Sequence, residues 1–280
     1  MSMRNTKRQR REPVRHPIPQ SRLTAPPPRT RPGPDTPVLP KFDGMPMAGA
    51  LFKGPIEALP LYAMLATIHL ELSGRAVNAC LPICYQMVGG LRHLGFAAEV
   101  MAAYVEVYQG ERRFMNIGVQ GPATVRPDWT TDGHSIVWAD SFGRLVDPTV
   151  AQHPELNRAA YQDLGHSAPL VVPVGSRDLL LHGAVGAIRP PYQLAYLAQP
   201  EHTAVFTRWF NRFTDALNYG ALSMAHRTLI AVKAAGEVRN LRQLPHLYPP
   251  LGRLLDGSDT LPPLPDVPPP SVTLLASGPE

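Results

Sequence analysis

The sequence predicts an α+β fold: a cysteine-bearing helix packed on an antiparallel sheet, with a mainly helical C-terminal extension and disordered tails. Three observations predict it. Leu81, Cys84, Met87, Val88, Leu91 and Leu94 recur at three- and four-residue steps, the spacing of one apolar helical face. After Gly95, Val100, Ala102 and Tyr104 interleave with Met101, Ala103, Val105 and Val107, which suits a strand buried on both faces. Further on, His134 to Asp140 and Arg144 to Asp147 flank Ser141-Phe142-Gly143, the pattern of a tight hairpin.

Both ends of the chain are expected to lie outside the folded part. Residues 1–41 carry ten Lys/Arg, two acidic residues and ten prolines, and six prolines fall in the ten residues from Leu261. Neither stretch has periodic apolar content to bury, so residues 1–44 and 257–280 are read as disordered tails. The basic tail holds more positive charge than the whole chain's net +5, leaving the remainder mildly acidic. It suits a weak anionic partner, nucleic acid or an acidic surface, although no aromatic residue interleaves its arginines as a stacking platform would.

Within the folded part, residues 45–155 are read as the core domain and 156–256 as the extension. A helix from about Pro55 to Leu72 carries Ile56, Leu59, Leu61, Met64, Leu65 and Ile68 and stops at Ser73-Gly74. In the next helix Pro82 is informative, because proline is tolerated only in a first turn. That helix therefore begins close to Cys80, with Asn78 as its N-cap, and ends at Leu94-Gly95, where a left-handed cap is wanted. Phe114 to Val119 pairs back across a Gln109-Gly110 turn. A loop through Gly121, Pro122, Pro127 and Asp128 leads to the second hairpin, which Pro148 ends by removing a donor. Leu170–Val174 and Pro191–Leu197 read as further strands, Thr203–Leu217 and Ala221–Val238 as helices.

Several function classes are excluded. No run of eighteen uncharged apolar residues occurs, so no membrane span is expected, and the N-terminus lacks the apolar region of a secretory signal. Two cysteines four apart cannot form a disulfide scaffold, and a bridge within one helical turn would be strained, so a reducing, cytoplasmic setting is expected. No phosphate loop, Gly-x-Ser-x-Gly or His-Glu-x-x-His motif occurs, and no cofactor is expected. Zinc is not expected either, because Cys80 and Cys84 lack a second ligand pair at familiar spacing.

What remains is nucleophilic chemistry. Cys80 sits at a helix N-terminus, where unpaired N–H groups and the helix dipole lower a thiol pKa. A thiolate needs a base, and an imidazole base needs an acceptor that fixes its tautomer. His134 opens one hairpin strand and Asp147 closes the other, so the two are expected as cross-strand neighbours. Asp140 competes for that role but falls at the turn, away from the histidine. Cys84, one turn deeper on the apolar face, reads as core. Asn78, or Gln86 from the helix, would join the Cys80 N–H as oxyanion donors.

From Cys80 to Thr149, about 70 of the 280 residues, the chain resembles the transglutaminase-like superfamily, which shares the papain-type cysteine-protease fold. The matching pieces are Cys80, Leu94-Gly95-Phe96, Gly133-His134 and Val146-Asp147-Pro148-Thr149. The fifteen-residue step from Cys80 to Gly95 fits the family, and the eleven-residue step from Cys84 does not. The Gly-Phe pair and helix-to-strand step are also similar to arylamine N-acetyltransferases, whose Arg-Gly-Gly lead into the cysteine is replaced here by Arg75-Ala-Val-Asn-Ala79. The resemblance implies the fold and a Cys80–His134–Asp147 triad, and it does not imply a substrate. The function read from the triad is thiol-dependent acyl chemistry, hydrolysis of an amide or peptide, or acyl transfer, and a protein or peptide is the expected substrate. The alternatives are a catalytically inactive interaction protein with the same fold, and a nucleic-acid accessory protein acting through its basic tail.

Overall fold

In the computed structural model the described residues are 54–72, 79–127, 129–150, 153, 156, 170–189 and 191–265. The tail expected at 1–44, residues 266–280 of the tail expected at 257–280, and Asn78 lie outside them. Residues 257–265 are instead held on the fold, with the Asp259 N–H donating to Arg253 O at 3.0 Å, His226 Nε2 donating to Pro262 O at 2.8 Å and Leu261 packed against the core. A 3-10 turn at Ile56–Ala58 leads into helix α1 (Leu59–Leu72), and α2 (Cys80–His93) follows. Strands β1 (Glu99–Gln109) and β2 (Arg112–Ile117) form the first hairpin, and β3 (His134–Ala139) and β4 (Arg144–Asp147) the second. Then come β5 (Leu170–Pro173), the short helix α3 (Arg177–Leu181), β6 (Val185–Arg189) and β7 (Tyr192–Ala198). A 3-10 segment (Pro200–Phe206) leads to α4 (Thr207–Arg212), the long α5 (Thr214–Gly236), α6 (Leu244–Leu247) and α7 (Pro249–Asp256).

The fold is α+β, built on one antiparallel sheet in the order β5-β4-β3-β1-β7-β6. Strand β1 is its axis. Along one edge its first half, Glu99–Ala103, pairs with β3, while its second half, Val105–Gln109, pairs with β2. Along the other edge Ala103–Gln109 pairs with β7. Such two-sided pairing explains why β1 reads as apolar at both parities: Met101 to Val105 are all buried.

All six apolar positions of the α2 face are buried; Cys84, Met87, Val88, Leu91 and Leu94 pack with α1 and α5 in a core that includes Val137 and Val146 of the sheet, while Leu81 packs with Phe206, Trp209 and Phe213. Close approach of α5 depends on Gly89, since a Cβ there would lie 2.6 Å from the Ala221 Cβ. Pro82 sits in the first turn and Gly95 closes the helix at φ +87°. One detail differs: the N-cap is Ala79, one residue beyond the expected Asn78, and no side chain caps the helix.

The expected boundary near residue 155 is corrected. Residues 156–256 hold more helix than strand, as expected, but they are not an extension, because β5 pairs with β4, and β7 pairs with the central β1. Helix α5 completes the core over α2. All described residues belong to one compact unit, so the second half of the chain is as much a part of the core as the first. Among the described residues, no helix is long and apolar enough to cross a membrane.

Candidate functional site

Helix α2 starts above the beginning of β3, and each of its cysteines points a sulfur at that strand's backbone. Cys84 Sγ donates to the Ser135 carbonyl at 3.2 Å, and one turn earlier Cys80 Sγ faces the Gly133 carbonyl at 3.9 Å. Cys80 is half-buried and Cys84 is fully buried. Because Pro82 has no N–H, the first backbone bond of the helix runs from Ile83 to the Ala79 carbonyl at 3.1 Å. The Cys80 and Leu81 N–H groups therefore have no acceptor among the described residues.

His134 opens β3 opposite Ala103 of β1. A glycine is needed beside it at Gly118, where φ is +77° and a Cβ would lie 2.8 Å from the His134 Cβ. Asp147 ends β4. The ladder pairs Val137 with Val146, so continuing it sets Asp147 opposite Ile136, and His134 is a diagonal neighbour on the same face. Their side chains meet, with His134 Nε2 2.9 Å from Asp147 Oδ2, the two groups being 3% and 0% exposed. Asp140 instead accepts from Trp138 Nε1 at 3.0 Å, at the turn.

The carboxylate of Asp147 is saturated. Oδ2 accepts from His134 and from the Tyr196 hydroxyl at 3.0 Å, and Oδ1 accepts from the Thr149 N–H at 3.0 Å and the Thr149 hydroxyl at 3.2 Å. Pro148 brings the chain round so that Thr149 folds back onto the residue before the proline. With Nε2 committed to Asp147, Nδ1 is the nitrogen left for the thiol.

Electrostatics distinguish the two cysteines. Burial works to raise the Cys80 pKa, but the hydrogen bond and positive charge of His134 outweigh it and hold the thiol below its ordinary value. Burial pushes the Cys84 thiol well up, and the bond to Ser135 does not offset that. For His134, burial acts downward, yet the charge and hydrogen bond of Asp147 raise the imidazole to about 10. Burial opposes ionisation of Asp147 too, and His134 outweighs it, so the carboxyl is held below its usual range. The three titrate as a coupled series, each charge shifting its neighbour.

Two expected positions are not part of this cluster. Gln86 packs against Gly220 of α5, where a Cβ would lie 2.3 Å from its Nε2. It stands six residues along α2, well over a turn from Cys80, so it is not an oxyanion donor; helical geometry turns it to the α5 side. Asn78 is outside the described residues. A groove of about 480 Å³ lies along α2, lined by Tyr85, Gly89, His93, Phe210 and Asn218 among others, and none of the three clustered residues lines it. Convergence of ionisable groups, rather than cavity volume, marks the site. Among the described residues no group of three or more His, Cys, Asp or Glu is arranged to hold a metal ion.

Tyr196 is a site residue that the sequence did not reveal. Burial and the neighbouring carboxylate keep its phenol protonated as a donor. Tyr196→Phe should keep the fold and lower stability by about 1.5–3 kcal/mol, the worth of a hydrogen bond to a charged group. Urea unfolding at pH 7 measures it, and a loss below about 0.5 kcal/mol would mean that the phenol does not hold the carboxylate.

Comparison with protein-family models, curated proteins and solved structures finds no match to this chain.

Proposed function

We propose that the chain is a thiol-dependent acyl enzyme of the transglutaminase-like kind, acting on an amide or peptide through Cys80. The observation that carries this reading is the charge-linked series: Asp147 grips His134 Nε2, which leaves Nδ1 for the one cysteine whose thiol is held below its ordinary pKa. The Val146-Asp147-Pro148-Thr149 turn that supplies the carboxylate is one of the pieces on which the resemblance rests, with Cys80, Leu94-Gly95-Phe96 and Gly133-His134.

In the proposed reaction the Cys80 thiolate attacks the carbonyl carbon, and the electron pair of the C=O bond moves to oxygen. The Cys80 and Leu81 N–H groups at the positive end of α2, which have no acceptor among the described residues, receive that oxyanion. Collapse expels the amine, which takes the imidazolium proton from His134, and leaves a thioester on Cys80. His134, now neutral, removes a proton from the incoming water or amine, whose attack regenerates the thiolate and imidazolium. Water gives a peptidase or amidase, and an amine gives a transferase. Asp147 holds the imidazole's orientation and stabilises its charge throughout.

The test is alkylation by iodoacetamide across pH on the Cys80→Ser and Cys84→Ser proteins, with peptide mapping of the label. Cys84→Ser should keep a fast-reacting thiol with an apparent pKa below the free value of about 8.5, and Cys80→Ser should lose it. Equal, slow labelling of both would favour a catalytically inactive interaction protein instead. The third reading, binding of nucleic acid through the basic tail, predicts salt-dependent binding that disappears when residues 1–41 are removed.

A further inference from the structure

The loop between β2 and β3 carries a feature that the triad does not use. Trp129 has φ +63°, the one non-glycine residue with positive φ among those described. A bulky side chain in that region is strained and persists only when its surroundings hold it there. They do so from several sides. The Trp129 N–H donates to Arg126 O at 2.9 Å, Val125 bridges to Thr131, and Trp209 Nε1 donates to the Trp129 carbonyl at 2.9 Å. Phe213 meets the Trp129 ring edge-on at 5.8 Å.

Two arginines of α4 complete the arrangement. Arg208 and Arg212, one helical turn apart, set their guanidinium carbons 5.6 and 6.0 Å from the Trp129 ring centroid. Both are exposed, and among the described residues neither has a carboxylate or carbonyl partner. A guanidinium over a ring uses its π face, so its N–H edge stays open to a planar anion. Position ties the pair to the thiol. Cys80 and Trp129 pack against one aromatic cluster that includes Leu81, Phe206, Trp209 and Phe213, and the same loop ends at Gly133, whose carbonyl faces the Cys80 sulfur.

We propose that Arg208 and Arg212, mounted on Trp129, form a carboxylate-binding subsite beside Cys80, and that the acyl donor is an acidic peptide. The strained tryptophan fixes where the two forks stand, which lowers the entropy that long side chains lose on binding. Paired forks favour a carboxylate, which takes bidentate bonds, over a neutral amide of the same shape. This proposal rests on the thiol reading for its chemistry, but its binding step can be measured apart from it.

The experiment is isothermal titration of the full chain carrying Cys80→Ala with a hexapeptide containing one glutamate and with its glutamine twin. The glutamate peptide should bind tighter by about tenfold or more. Arg208→Gln with Arg212→Gln should abolish that preference, while Arg112→Gln with Arg242→Gln, which removes the same charge at exposed positions elsewhere, should retain it. Equal binding of the twins, or a preference that survives Arg208→Gln/Arg212→Gln, overturns the subsite and leaves the arginines as cover for Trp129. Iodoacetamide labelling of the unsubstituted chain reports the thiol alone. Slow labelling with an intact glutamate preference would sink the acyl chemistry and keep the subsite as a binding site.

Discussion

Asp147→Ala should destabilise the protein by about 3–5 kcal/mol, the cost of breaking a buried ion pair from one side. The side chain is wholly buried and accepts from His134, Tyr196 and twice from Thr149. Its removal leaves the Tyr196 hydroxyl and the Thr149 N–H without their acceptor, and the His134 charge with no counter-ion. Asp147→Asn keeps the shape and one acceptor oxygen, so it should cost less, while its amide presents a donor to His134 and favours the wrong imidazole tautomer. Denaturant unfolding at pH 7 separates the two substitutions. An alanine loss below about 1 kcal/mol would mean that Asp147 is not the buried anchor of the site.

The cysteine helix and the hairpin were legible because each has a local signal. Pro82 restricts where α2 starts, Gly95 where it ends, and Ser141-Phe142-Gly143 where β3 turns into β4. His134 and Asp147 could be paired from the sequence because a short hairpin makes sequence distance report spatial distance. Tyr196 could not. It reaches Asp147 from β7, 49 residues on, and nothing local in Tyr192–Ala198 says that this strand joins β1. For the same reason the second half of the chain read as a helical extension: its strands are short, and their partners lie far back in the sequence. Trp129 was hidden differently, since a positive φ at a tryptophan contradicts local preference and is imposed by Trp209 of α4 and by Phe213, which links α4 to α5. Gln86 misled because its position on α2 says that it is near the cysteine in sequence, but not which neighbouring helix it faces.

His134→Gln should lower the rate of Cys80 alkylation at pH 7 by about tenfold or more, each tenfold loss of thiolate reporting about 1.4 kcal/mol of charge stabilisation removed. Without the imidazolium, burial and the nearby Asp147 charge both act to raise the thiol, so the thiol pKa rises. Stability should carry the same signature in its pH dependence. The imidazole is raised from 6.5 to about 10 in the folded chain, so its contribution is complete below 6.5 and is lost as pH rises through about 10. The carboxyl of Asp147 is held below its ordinary 3.8, so its contribution is present above that value and is lost as pH falls through the folded pKa. The thiol, held below its ordinary value, titrates in the opposite sense, so in chains that carry Cys80→Ser the stability difference between His134 and His134→Gln should be greatest between about pH 4 and 6.5, and shrink as pH rises beyond it. Subtracting the two curves cancels the lysines and tyrosines that titrate in the same alkaline range. Urea unfolding at pH 5, 7, 8.5 and 10 reads the difference directly. If it grows with pH, His134 is buried as a neutral ring, and the charge-linked series from Cys80 to Asp147 does not exist in the folded protein.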